Sequence, residues 1–319
     1  MKASAVAHPI QGLIKYHGLR DERLRLPFHD SISVCTAPLR THTTVEFGNG
    51  GDTAMIGGRP ATGEEMERIL GVVDALAAEA GGRGGMHMES RNDFPSNIGL
   101  GASASGFAAL AVATAGALGL ELGPEELSRF ARRGAGSAAR AVTGGFSRWY
   151  AGEGDRDSVS RRIPHPEDLD LAILCALVPA YKTTDLAHRE VLSSPFFRAR
   201  LDYVPEALER MEDAIRRGDV DEIGRLAETD TLLLHGITMT GADEMILWRP
   251  ETVRVILEVK ALRQEGVRCF FSIDTGATVY VNCHRADLPR VRARIEAAGV
   301  ATLTCSVGEG ARKVDEHLF

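Results

Sequence analysis

Basic excess, paired cysteines and long apolar runs are all missing from this chain, and lysine is scarce. The formal net charge is -7, from 37 lysines and arginines against 44 aspartates and glutamates. That balance excludes a global basic field for nucleic acid, so an anionic ligand must be held by a local cluster of donors. The five cysteines, Cys35, Cys175, Cys269, Cys283 and Cys305, include no CxxC pair. A disulfide framework or a thiolate zinc site is therefore not expected, and a reduced, cytoplasmic protein is. The ten histidines show neither HxxxH nor HExxH spacing, which gives no support to a zinc constellation. The most apolar stretch, 106–120, is rich in alanine and glycine and falls short of the roughly 20 residues of a membrane span. The opening MKASAVAHPIQG lacks a charged segment followed by a long apolar core, so no targeting segment is expected.

What is there fits a soluble globular chain. Its 319 residues are 44% hydrophobic and 25% charged, enough for two packed domains. The polar, proline-containing stretch 152–170 is the candidate boundary, dividing the chain into 1–168 and 169–319. β-branched runs predict strands at 31–34 and 43–47; a turn at 49–51 returns 53–56 as the second arm of a hairpin. Helical spacing covers 64–80, 103–118, 124–133, 205–217, 220–234, 250–265 and 288–298, with helix or helix start also at 134–141. Further strands are predicted at 86–89, 144–150, 171–178, 269–273, 278–282 and 302–307. Such alternation without internal repeats predicts an α/β or α+β sandwich in two parts. Trp149 and Trp248 read as core residues.

Four segments carry possible chemistry. The run Pro95-Ser96-Asn97-Ile98-Gly99-Leu100-Gly101-Ala102-Ser103-Ala104-Ser105-Gly106 opens a helix. Its glycines permit close backbone approach, and the helix N-terminus favours an anion, so it reads either as a phosphate loop or as a serine-capped helix start. It has neither Walker A spacing nor the preceding strand of a dinucleotide fingerprint. In Ile14-Lys15-Tyr16-His17-Gly18-Leu19-Arg20-Asp21, a lysine sits among apolar and aromatic residues in a chain with only five lysines. Lys15 is either a point charge beside a carboxylate or phosphate, or a snorkelling surface lysine. In Ser272-Ile273-Asp274-Thr275-Gly276-Ala277, Asp274 ends a strand beside a tight turn, which suits a base or an Asx turn. In Gly136-Ser137-Ala138-Ala139-Arg140, an arginine among small residues reads either as a carboxylate clamp in a cleft or as a structural ion pair.

Together the four segments resemble the GHMP kinase superfamily and, within it, the mevalonate-pathway decarboxylases. The 95–106 loop resembles that superfamily's ATP phosphate loop. IKYHGLRD at 14–21 resembles the motif IKYWGKRD, GSAARAVTGG at 136–145 resembles GSACRSLYGG, and Asp274 stands where those enzymes carry a catalytic aspartate. The resemblance narrows the fold to α+β, with an N-terminal domain like ribosomal protein S5 and a ferredoxin-like C-terminal domain, and implies commonly a homodimer. It implies ATP and Mg2+ as cofactors and a phosphorylated mevalonate as the small-molecule partner, with no nucleic acid or membrane. The residues it points to are Asp274 and Lys15 for catalysis, and Tyr16, His17, Ser137, Arg140 and Arg189 for substrate. Ser96, Asn97, Gly99, Gly101, Ala102, Ser103, Ser105 and Gly106 would serve the nucleotide, with Ser103 reaching its magnesium.

One departure bears on substrate. His17 and Leu19 stand where the diphosphate enzymes carry tryptophan and lysine, and a lost cation disfavours the more highly charged tail. HPIQGLIKYHG and FPSNIGLGASASGF are closer to the archaeal-type members that take the monophosphate. The expected reaction is thus conversion of mevalonate 5-phosphate to isopentenyl phosphate. The rivals are the diphosphate reaction, a kinase that stops at the phosphorylated alcohol, and a binding protein on the same scaffold.

Overall fold

The computed structural model describes residues 1–95, 98–180 and 184–319. The chain opens with β1 (Lys2–Ala7), β2 (Ile10–Ile14), β3 (Leu19–Asp21), β4 (Leu26–Pro27), β5 (Ser31–Ala37), β6 (Thr41–Gly48), β7 (Thr53–Ile56) and β8 (Arg59–Pro60). Then come α1 (Gly63–Glu79), β9 (Gly85–Asn92), α2 (Ala102–Leu118), α3 (Pro124–Gly134), α4 (Ala138–Thr143), β10 (Phe146–Trp149) and β11 (Ser160–Ile163). The second half runs β12 (Ala172–Ala176), α5 (Thr184–Glu190), α6 (Phe197–Arg217), α7 (Val220–Met239), α8 (Pro250–Gln264), β13 (Cys269–Ile273), β14 (Val279–Cys283), α9 (Leu288–Ala297), β15 (Thr302–Val307) and β16 (Arg312–Val314).

Local chemistry explains most of these bounds. Thr62 caps α1 through a reciprocal capping box with Glu65, and Ile69, Val72, Val73, Leu76 and Ala77 form the apolar stripe that the helix buries. Alanine dominates α2, so it is buried on most of its circumference and packs closely on β1 and β6. Pro124 opens α3 at a position where a missing N–H costs nothing. Pro205 does not begin a helix as expected: α6 starts at Phe197 and carries the proline in its interior, on the exposed face, where water can serve the freed carbonyl.

Among the described residues the first sheet has the order β16-β1-β6-β9-β7-β8. The expected 43–47/53–56 hairpin does not form. β9 lies between the two arms, antiparallel to β6 with Phe47 opposite Met86, and parallel to β7 with Thr53 opposite His87. The glycine turn therefore steps over β9 instead of closing a hairpin. A second sheet has the order β11-β10-β5-β15-β12-β14-β13, with β2 also paired to β5.

The expected boundary at 168/169 falls between β11 and β12, and two ties cross it. β15 pairs with β5 through Ser306–Ala37 and Val307–Thr36, which makes one sheet of strands from both halves. The last strand, β16, returns to pair with β1, so the chain's end belongs to the first sheet. One core joins Leu13, Ile32, Val34 and Phe146 to Ile173, Met211, Ile223 and Tyr280 across that seam. The other cores fill the N-terminal layer behind α1 and α2 and the C-terminal layer behind α8 and α9.

The seam is closed at α4, where Gly144 (φ +70°) meets the 308–310 turn. A Cβ on Gly144 would stand 1.9 Å from the Gly310 backbone nitrogen, in a conformation that L side chains avoid. Gly144→Ala is expected to destabilise the fold by about 3 kcal/mol or more. Denaturant titration checks this; a loss below about 1 kcal/mol would show that the seam tolerates the methyl.

Candidate active site

The Asp274 carboxylate lies just beyond β13, and both of its oxygens accept the Gly12 N–H, at 3.0 and 3.2 Å. Ser272 Oγ donates to the Gly12 carbonyl at 3.1 Å, so one strand end grips both the N–H and the C=O of one residue in β2. The register of β2 against β5 shifts between Gly12 and Ile14, a bulge that re-aims the following segment. Only glycine fits at this point: a Cβ would stand 2.8 Å from Lys15 Cγ and 2.9 Å from Asp274 Oδ1.

Lys15 faces the same cavity and is buried. Its ammonium donates to Thr231 Oγ1 at 3.0 Å and to the Ala227 carbonyl at 3.4 Å, and lies 3.7 Å from Asp230 Oδ1. Burial pulls the ammonium's proton affinity below its ordinary range, while the carboxylates of Asp230 and then Asp274 push it back up. Asp230 is itself fully buried, accepts the Lys15 backbone N–H at 2.9 Å and pairs with Arg200 at 2.6 Å. Arg200 in turn donates to the Lys15 carbonyl at 2.7 Å. The lysine is thus held by α6 and α7, and its nearest carboxylate is Asp230; Lys15 and Asp274 flank Gly12 and act on one another through space. Asp230, Thr231 and Arg200 escaped the sequence reading. Their signal is an adjacent acid and hydroxyl on the buried stripe of an amphipathic helix.

Arg140, from α4, lines the same cavity. It hydrogen-bonds Ser31 Oγ and lies 5.4 Å and 5.8 Å from the ring centroids of Tyr16 and Trp149. Burial lowers its proton affinity to about 10, which leaves it a cation at neutral pH. Ser137, Tyr16 and His17 line the same cavity. Tyr16 stacks on His188 with centroids 5.0 Å apart and meets Trp149 edge-on at 4.8 Å. His17 Nε2 lies 2.9 Å from Thr275 Oγ1, and its ring meets His188 edge-on. Trp149 is buried as expected; Trp248 packs partly buried against the C-terminal core. This cavity has a volume of about 70 Å³.

The glycine run divides between two cavities. Gly99 and Gly101 line the first. Ala102, Ser103 and Gly106 line a second, of about 390 Å³, with Ile56, Arg59, Ile69 and Phe107. The N-terminus of α2, with its unpaired N–H groups, therefore stands between them. Ser105 departs from expectation. It is fully buried and lines neither cavity; its hydroxyl bonds Thr41 Oγ1 at 2.6 Å, pinning α2 to β6. Ser96 and Asn97 lie outside the described residues. Arg189 lines neither cavity. It forms a two-point ion pair with Glu22 at 2.9 Å in a third pocket, of about 100 Å³, that shares His188 with the first.

Two lobes joined by a shared sheet, with a glycine-led helix N-terminus at their cleft, make this the GHMP kinase fold. A family model described as "Diphosphomevalonate decarboxylase-like N-terminal domain" matches residues 7–160. The phosphomevalonate decarboxylase of Haloferax volcanii is 48% identical over 319 residues, covering 99% of this chain and 98% of the relative. The chain belongs to the diphosphomevalonate decarboxylase-like family. The mevalonate diphosphate decarboxylase of Enterococcus faecalis superposes with a TM-score of 0.92 at 29% identity, covering 99% of both chains. A structure described as MDDEF in complex with MVAPP, AMPPCP and magnesium superposes equally well, at 28% identity.

Gly12→Ala is expected to displace the Asp274 carboxylate and lower kcat about 100-fold; unchanged kcat would show that the carboxylate's aim does not depend on this contact. A second expectation concerns acid. His235 is buried on α7, and burial, reinforced by the Lys15 charge, lowers its proton affinity to about 3. His29 is lowered to about 4, again chiefly by burial. Unfolded, both rings titrate near 6.5. The stability they contribute as neutral groups is complete above pH 6.5 and is drained as pH falls from 6.5 towards 4 and 3, because there the unfolded chain binds more protons. Urea titrations from pH 7.5 to 4 should show this loss, and His235→Leu should flatten its slope. An unchanged slope would remove His235 as a source.

Proposed function

We propose that the chain catalyses ATP-dependent decarboxylation of mevalonate 5-phosphate to isopentenyl phosphate, releasing ADP, phosphate and CO2. The observation that carries this reading is the α2 N-terminus standing between a cavity of nucleotide size and a cavity lined by Asp274, Lys15 and Arg140. The nucleotide occupies the larger cavity and the alcohol the smaller, with the transferring phosphoryl group over the helix N-terminus. Bound Mg-ATP supplies the phosphoryl group and screens its charge.

This chain's own groups do the rest. Asp274, aimed by the Gly12 N–H, orients the tertiary 3-hydroxyl and takes its proton. Lys15 keeps positive charge beside that carboxylate. Once the 3-hydroxyl is phosphorylated, phosphate leaves with the C–O electron pair, the carboxylate's C–C electrons form the alkene, and CO2 departs. Arg140 grips the carboxylate in the orientation from which it leaves. Ser137 and Tyr16 line the substrate's path, and the 5-phosphate points past His188 towards Arg189. No group of three or more metal-binding side chains occurs among the described residues. Magnesium would accordingly be held mainly by phosphates, with the exposed Ser103 hydroxyl at the helix start as a protein ligand.

The monophosphate is favoured by His17 and Leu19 at the two departed positions and by the 48% identity to a phosphomevalonate decarboxylase. The diphosphate reading draws on the close superposition with the Enterococcus enzyme. The free, buried cysteines suit a cytoplasmic location, and no helix among the described residues is long and apolar enough to cross a membrane. A homodimer belongs to the same proposal, and light scattering tests it.

ATP-dependent CO2 release with mevalonate 5-phosphate, and a higher kcat/KM for it than for the 5-diphosphate, are the expected results. ADP formation without CO2 would establish the kinase instead. Asp274→Asn is expected to bind nucleotide normally and to lose about 100- to 10,000-fold in kcat; near-native turnover would take the proton away from Asp274.

A further inference from the structure

The turn that carries Asp274 is held at two points by a single stretch of chain. β13 ends at Ile273 and β14 begins at Val279, so residues 274–278 lie outside the strand ladder. Gly12, at one end of the stretch, grips the Asp274 carboxylate. His17, five residues on, meets the side chain of the very next residue: Nε2 lies 2.9 Å from Thr275 Oγ1. Lys15 lies between the two grips and is anchored separately, on α7. Within the turn the Gly276 N–H donates to the Asp274 carbonyl at 2.9 Å. Further along, Thr252 Oγ1 donates to the Ala277 carbonyl at 2.7 Å, and Thr278 is tied to the Ile98 carbonyl. Thr275 is thus a side-chain tie directly beside Asp274, and it lines the substrate cavity.

His17 is well placed to hold it. The ring is buried and braced edge-on against His188, with centroids 5.0 Å apart. His188 is in turn fixed by the Gly18 N–H at 3.3 Å and by stacking on Tyr16. A braced imidazole gives a hydroxyl partner one position only, whereas a free surface side chain would offer many.

We propose that the His17–Thr275 contact is a positioning device for catalysis: it fixes the 274–276 turn so that the Asp274 carboxylate points at the reacting hydroxyl. The proposal rests on Asp274 being the base. It assigns Thr275 a part in turnover and makes His17 more than a lining residue. A hydrogen bond that only orients the base affects the rate of the chemical step while leaving the ground-state grip on substrate and nucleotide alone.

The test measures ATP-dependent CO2 release for native protein, Thr275→Val, Thr275→Ser, His17→Phe and the Thr275→Val/His17→Phe double variant, with thermal unfolding of each. Valine keeps the shape of threonine without its hydroxyl, and phenylalanine keeps an aromatic ring against His188 without its nitrogen. The expected result is a fall in kcat of about 10- to 100-fold in each single variant, with KM for both substrates within about threefold. Thr275→Ser should restore most of the rate. The double variant should lose little more than either single one, since both remove the same contact. Full kcat in Thr275→Val, a change confined to KM, failure of serine to rescue, or additive losses would each overturn the device. Native protein that releases no CO2 would instead overturn the decarboxylase reading, so the two failures are distinct. If His17→Phe unfolds, the valine and serine pair at 275 still decides.

Discussion

One residue, Gly12, joins the two halves of this molecule at the point where chemistry is proposed. Its N–H goes to Asp274 and its carbonyl to Ser272, so a strand of the first half and a strand end of the second share a single rigid unit. The β5–β15 pairing and the core beneath it keep that unit from shearing. A carboxylate carried on a turn is ordinarily free to swing, and the two halves of a two-lobed protein are ordinarily free to move. Here both freedoms are removed by the same contact, and the absence of a side chain at residue 12 is what makes it possible.

Charge burial is the second constraint. Lys15, Arg200 and Asp230 are all withdrawn from water, and desolvating such groups costs several kcal/mol each unless they are paired and hydrogen-bonded. The network meets that condition in part. Asp230 accepts from a backbone N–H and is ion-paired with Arg200, Arg200 donates to the carbonyl of residue 15, and the ammonium has a hydroxyl and a carbonyl, while Arg200 Nε and Nη1 are buried without a hydrogen-bond partner. A hydrophobic replacement would pack at least as stably. The network is therefore better understood by what it delivers: a fixed cation lining the same cavity as the Asp274 carboxylate, withdrawn from water and so screened less than a surface charge.

Much of this was legible in the sequence, for physical reasons that differ between segments. α1 could be read because its apolar residues recur at helical spacing. The chemistry-bearing segments could be read because rare residue types sit in improbable company: a lysine beside aromatic residues, an arginine among alanines, an aspartate at a strand end. The paths between them could not. Nothing in 43–56 says that β9 will insert between the two arms, since the pairing partner lies thirty residues downstream and is chosen by tertiary packing. β16 likewise joins the first sheet from the far end of the chain. Ser105 was misplaced because a serine one turn into a helix looks the same from sequence whether it faces a ligand or the next layer. Asp230 was missed because it serves the site from a helix whose pattern reads simply as amphipathic. The contribution of Gly12 depends on what its missing side chain would strike, and that is a property of three dimensions alone.

The placement of α2 connects these elements to the reaction. Phosphoryl transfer asks little covalent chemistry of a protein; it asks for alignment and for charge opposite the moving group. A helix N-terminus between two cavities provides both at once, because its N–H groups are fixed by the helix itself and need no rearrangement as charge develops. Decarboxylation asks for something else, a carboxylate held so that its breaking bond lines up with the departing phosphate. In the proposed reaction Arg140, on α4, supplies that grip from the lining of the same cavity. The two demands fall on different groups around one small space, carried by different elements. A change at Arg140 should therefore impair loss of CO2 while leaving the phosphate-facing wall intact, whereas a change at Asp274 should stop the sequence before any CO2 can form.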